Sequence, residues 1–154
     1  MGCGLHCVIQ KKVVDHRGNE EWVDLITGAL DFPSSYARRF NDDTMGIRNT
    51  GVPADFKVDA QGEHNGYWMG EHSIGWFTGS DFVDLEVNIP DTRSLTQSVE
   101  DHQITIVFNL RPVDDEEDWA YEYETLLSSL QKSLRYLTGV DELKDLRFVV
   151  GYDS

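Results

Sequence analysis

The chain is poor in sulfur, in proline and in positive charge, and each shortage closes a class of explanation. Cys3 and Cys7 are the only cysteines in 154 residues. Two cysteines so close in sequence cannot tie distant segments together, so a disulfide framework is excluded and free thiols are expected. No apolar stretch approaches the ~20 residues of a membrane-spanning helix. No secretory leader is legible, so the expected location is cytoplasmic, with no membrane partner. The opening MGCGLHC looks superficially like an acylated start, but His6 stands where the myristoylation pattern wants Ser or Thr. A Walker loop, a dinucleotide fingerprint and a Gly-x-Ser-x-Gly elbow are all missing. Enzymes built on those motifs are poor candidates, and no cofactor is expected. Lys and Arg number 13 against 28 Asp and Glu, a formal net charge of −15. Such a surface repels phosphate backbones, so direct nucleic-acid binding is not expected. It suits solubility, a basic protein partner, or mimicry of a nucleic acid.

What is present is enough to fold. Hydrophobic residues make up 40% and aromatics 11%, and a chain of this length buries about two-thirds of its unfolded surface. One α+β domain covering residues 1–154 is expected.

Residues 5–14 (LHCVIQKKVV) are β-rich and nearly alternating, and 22–26 (WVDLI) read as the returning strand. Between them, Gly18 and Asn19 supply the positive φ a hairpin turn needs. Pro33, Ser34 and Ser35 open a short helix through Phe40, with a serine as its cap. Residues 41–75 hold six glycines and Pro53 and read as a long irregular excursion, the first place to seek a working surface. Residues 82–89 read as a strand, 90–99 as a polar loop, and 102–110 as the clearest strand of the chain. From 114 to 138, Trp119, Tyr123, Leu126, Leu127, Leu130, Leu134 and Leu137 recur at helical spacing, and the run Asp114 to Asp118 complements the helix dipole. Gly139 fits a C′ position, Asp141 a cap for a short helix through Lys144, and residues 146–152 (LRFVVGY) a closing, central strand. The expected fold is a mainly antiparallel or mixed sheet packed against one long C-terminal amphipathic helix.

Cys3, His6 and Cys7 all have metal-ligand chemistry. Side chains alternate along a strand, however, so Cys3, Leu5 and Cys7 face one way and Gly4, His6 and Val8 the other. The thiols read as core, and no metal site is expected. His6 stays free to serve a site, with His64, His72, His102, Glu71 and Asp153 as possible companions. Tyr67 to Thr78 is dense in aromatics and hydrogen-bonding groups, the materials of a small-ligand pocket and equally of a satellite core. Arg48 and Asn49 lie in a glycine-containing loop able to hold a carboxylate or phosphate, although a surface ion pair is the simpler reading for Arg48.

These segments together resemble a widespread family of small phage and prophage proteins. Met1 to His6 is similar to that family's MGCDIH opening, and Met45 to Asn49 to its AGVRN segment. Gly51 to Asp55 is similar to its GLPED, His72 to Thr78 to its HSPSWLT, and Arg147 to Ser154 to its RVVFWFDN end. The resemblance implies an origin rather than a mechanism, and a host-cell cytoplasmic location. It places His6, Arg48, His72, Trp76 and Asp153 on the ligand-binding shortlist beside Asn49 and Ser73. The family's acid at the fourth position is Gly4 here, which breaks any Asp–His metal pair on that strand face.

The leading expectation is a phage accessory protein that binds a small polar or nucleotide-like ligand, or a basic host protein. The alternatives are a His-centred, possibly metal-assisted hydrolase, and a minor structural protein of the particle. His6 and His72 are expected to lie near each other.

Overall fold

The computed structural model describes residues 3–86, 94–100, 103–109, 116–138 and 140–154. Its frame is a five-stranded antiparallel sheet. The strands are β1 (Gly4–Val14), β2 (Glu20–Thr27), β3 (Asn49–Thr50), β6 (His72–Thr78) and β9 (Leu146–Asp153), in the order β2-β1-β9-β6-β3. Two hairpins stand apart from it: β4 (Glu63–His64) with β5 (Tyr67–Trp68), and β7 (Ser94–Glu100) with β8 (Gln103–Asn109). The helices are α1 (Ser34–Asp43), α2 (Gly79–Asp84) and α3 (Glu116–Thr138), with a 3₁₀ turn at Val140–Asp145. The α+β expectation holds.

The closing strand is central, and Leu146 to Tyr152 are all buried, Arg147 among them. It needs two covers. On one face Cys7, Ile9, Phe148, Val150 and Tyr152 meet Phe40 of α1, Phe82 of α2, and Tyr123 and Leu127 of α3 in the main core. Phe77, Phe82 and Phe148 stack with centroids 5.0 to 6.0 Å apart, each burying a side chain worth about 2–3 kcal/mol. On the other face Val8 and Val149 pack against Phe56 and Met69, with Val52, Tyr67 and Trp76 at the margin. The excursion from 41 to 75 is therefore the second cover of the sheet. Gly51, Gly62, Gly66 and Gly70 turn it back on itself at positive φ. Cys3 and Cys7 are buried and free, on the core face that strand alternation assigns them.

Several expectations are corrected. Residues 82–84 belong to α2 rather than a strand, because the Thr78 hydroxyl accepts from the Asp81 amide and starts a helix there. Gln131 and Arg135 of α3 then donate to the carbonyls of Phe82, Val83 and Leu85 and close that helix. Residues 94–99, part of the stretch 90–99 read as loop, belong to β7. A polar alternating strand carries too little apolar signal to stand out from a loop. No serine side chain caps α1, since Pro33 is its N-cap and the Ser34 hydroxyl instead accepts from the Cys3 amide at 3.1 Å. The expectations for residues 87–93, 102, 110, 114–115 and Gly139 lie outside the described residues.

Candidate functional site

A β-bulge decides which side chains meet. Opposite β9, His72 pairs with Tyr152 and Gly75 with Val150, so β6 carries one residue more than its partner there. Ser73 absorbs the excess at φ 54°. Strict alternation back from Trp76 would put His72 on the face of Trp76 and His6. The extra residue turns it over, because a one-residue slip exchanges the two faces of a strand. His72 accordingly stacks on Tyr152, centroids 6.3 Å apart, on the helix-covered face, and does not meet His6.

The shortlist thus divides. Arg48 lies with His72 on the helix side: its guanidinium is 5.9 Å from the Tyr152 ring and donates to Asn41. Gly75 makes this possible, since a Cβ there would strike the Arg48 stem. The Ser73 hydroxyl bonds His72 Nδ1 at 3.0 Å. Burial pushes the Tyr152 phenol up, with Arg48 pulling against it. Within this cluster the His72–Ser73 and Arg48–Asn41 bonds are made, while His72 Nε2 and the Tyr152 hydroxyl are buried with no hydrogen-bond partner among the described residues. Trp76 belongs to the smaller apolar cluster, and Asn49 donates to its carbonyl at 3.2 Å.

His6 and Asp153 form the other group. His6 pairs with Gly151 and Gly4 with Asp153, so all four share the second face. His6 Nε2 and Asp153 Oδ2 stand 2.5 Å apart, with side chains 19% and 32% exposed. The missing side chain at Gly4 is what admits the carboxylate: a Cβ there would lie 2.5 Å from Asp153 Oδ2. The acid that the family resemblance puts at position 4 is absent, and a carboxylate from the opposite strand occupies the space. Gly151 is equally required, because a Cβ on it would strike the Met69 carbonyl that crosses β9 at this point. That crossing seats Trp68 edge-on to the His6 ring at 4.9 Å, with Tyr67 at 6.1 Å. Tyr67 is fixed by accepting from the Cys7 amide at 3.1 Å, whereas Trp68 is 41% exposed. Asp153 also lines an open hollow of about 500 Å³ with Cys3, Gly4, Phe32 and Ser34.

Nε2 is the ring nitrogen engaged with Asp153, and the role of Nδ1 as donor or acceptor follows the tautomer of the ring. Among the described residues Nδ1 has no hydrogen-bond partner, so it is the atom available to a ligand or a water. The arrangement provides one imidazole, one carboxylate and an aromatic platform. It provides no activated nucleophile. The Cys7 thiol points to the other face, and burial pushes it well above its ordinary range. Burial also raises the Cys3 thiol, Arg38 lowering it and Asp153 adding to the rise. Among the described residues, no three His, Cys, Asp or Glu side chains converge as a metal-binding group.

Sequence reasoning missed Trp68, whose signal was its place in the aromatic-dense segment. It also missed a second histidine–aspartate pair. His64 is 5% exposed and stacks on Phe56 at 3.8 Å. Its Nδ1 lies 2.7 Å from the Lys57 carbonyl, and its Nε2 3.0 Å from Asp24. Gln10 donates to Asp24 at 2.8 Å, and buried Arg147 donates to Gln10 at 2.7 Å. Arg147 also pairs with Asp55 and stacks on Trp22 at 4.2 Å. Burial raises Asp24, but the bonds from Gln10, His64 and Asn65 outweigh it and hold the carboxyl below its usual range.

Comparison of the chain with protein-family models, curated proteins and solved structures returns no match.

Proposed function

We propose that this protein acts by binding, as a phage accessory protein that holds a small polar ligand at the His6–Asp153 corner. The observation that carries the reading is the 2.5 Å pair beside Trp68, a residue 41% exposed. An exposed indole offers a stacking face, and an imidazole nitrogen with a neighbouring carboxylate offers directional hydrogen-bonding groups. The net charge of −15 and the carboxylate within the site oppose phosphorylated ligands. A neutral or cationic planar ligand, such as a nucleobase or nucleoside, suits the corner better than a nucleotide. The phage origin rests on the ordered resemblance of the short segments from Met1–His6 to Arg147–Ser154.

Native mass spectrometry tests this, on the chain as purified and after mixing with a panel of nucleobases and nucleosides. A stoichiometric adduct is expected that disappears in Trp68→Ala and Asp153→Asn and persists in His72→Ala. An adduct indifferent to both corner variants would move the site elsewhere, and no adduct in either sample would end the small-ligand reading.

A hydrolase is the second reading, favoured by the same short contact. A carboxylate that orients one imidazole nitrogen leaves the other as a base toward water. It requires turnover that vanishes in His6→Gln while ligand binding survives.

A further inference from the structure

The hairpin at the far edge of the sheet carries an independent observation. β2 is an edge strand of eight residues, and among the described residues no strand pairs with its outer side. Exposed edges of that length template further pairing, and proteins blunt them with Pro, Lys or a bulge. β2 reads EEWVDLIT, without Pro or Lys. Its bulge works in the opposite sense. Ile9 pairs with Ile26 and Gln10 with Asp24, so Leu25 is the extra residue. Leu25 and Ile26 both line an apolar groove of about 350 Å³ against Leu130 and Leu134 of α3. They stay 54% and 49% exposed. Val13, Val14, Leu25 and Ile26 make up half of the exposed large apolar side chains among the described residues.

Both faces of this edge carry acid. Register with β1 puts Glu21, Val23 and Ile26 on the groove side, opposite Val13, Lys11 and Ile9. It puts Glu20, Trp22 and Asp24 on the other side, opposite Val14, Lys12 and Gln10. The strand holds three acids and no base. A second copy would bring three more acids against them, on two chains of −15 each, which opposes self-pairing.

We infer that β2 is a docking edge for an extended segment of a basic partner protein, one that alternates aliphatic with Lys or Arg residues. Backbone hydrogen bonds would add a sixth strand, the recognition mode of strand addition to a sheet edge. Aliphatic side chains of the added strand would enter the groove beside Leu25 and Ile26, and its bases would lie on the Glu20 side, the Asp24 carboxylate being held by His64, Gln10 and Asn65. This goes beyond the small-ligand reading, and either can fail alone, since the His6 corner and the β2 edge share no residue.

The probe is a blocked heptapeptide alternating lysine with valine, set against the same peptide with glutamate for lysine. Hydrogen exchange on the full chain should show slowed exchange at Glu20–Thr27 amides directed away from β1, with the lysine peptide only. Glu20→Lys is a safe variant because that side chain is 62% exposed. It should weaken the lysine peptide roughly tenfold and bring in the glutamate peptide. Asp24 is kept intact because it holds His64. Equal protection by both peptides, protection centred away from β2, or no protection at millimolar peptide would each overturn the proposal. Concentration-dependent protection of β2 without peptide would overturn it too, by making a second copy the occupant.

Discussion

The chain contains two histidine–aspartate pairs that share a chemistry and differ in their surroundings. At His64–Asp24 every atom has an engagement. One ring nitrogen meets a backbone carbonyl and the other a carboxylate, and the ring lies on Phe56 with 14° between planes. The carboxylate takes further bonds from Gln10 and Asn65. At His6–Asp153 the contact is shorter, but the imidazole uses one nitrogen and the neighbouring indole is open to solvent. A saturated pair holds structure, since nothing on it is left to offer a ligand. The unsaturated pair is the one equipped to act. The difference lies in the shell around each pair rather than in the residue types.

The largest effect that separates them is on stability. His64→Ala removes a buried ring stack and leaves Asp24 and the Lys57 carbonyl without their partner. The expected cost is about 3 kcal/mol, or on the order of 9 °C in melting temperature. His6→Ala at the half-exposed corner should cost about 1 kcal/mol or less. Thermal unfolding of the two variants side by side checks this. Equal losses would show that the corner is structural too.

The division between the pairs was only partly legible in the sequence. Alternation along residues 5–14 correctly sent Cys3 and Cys7 to the core and His6 to the other face, because β1 runs without an inserted residue from Gly4 to Ile9. The same rule fails at His72, where Ser73 inserts a bulge that no residue type announces. His64 was legible only as a bare histidine, since its partner Asp24 is 40 positions away and reaches it through the folding of the middle segment onto the sheet. Periodicity found α3 and the buried closing strand, where one face or both must be apolar. It could not find α2, a single short helix set by one threonine cap.

A smaller effect concerns pH. Asp24 is held below its ordinary value in the fold, so its contribution to stability is complete above the unfolded value near ~3.9. It is lost as pH falls through the folded value, because the unfolded chain takes up the proton first. Asp24→Asn should lose about 1.5 kcal/mol at neutral pH, the worth of a few charge-assisted hydrogen bonds. Its deficit against the parent should shrink as pH falls from 5 to 2.5 in urea titrations. A deficit constant with pH would mean that the carboxylate's charge does not hold the network together.

The smallest effect on stability belongs to Gly4, where the effect on function should be largest. A methyl at this position would meet only the end of the Asp153 side chain, at 2.5 Å from Oδ2, and that end can swing away. Gly4→Ala should therefore change stability by no more than about 0.5 kcal/mol, while it removes the carboxylate from His6. Two readouts separate the alternatives. The His6 ring resonances should move, with the His64 resonances unchanged as an internal control. The ligand adduct should weaken as it does in Asp153→Asn, although both members of the pair are still present. If Gly4→Ala shifts His6 and binding is unaltered, the carboxylate is not part of what the corner recognises, and Trp68 with the imidazole alone would have to carry the site.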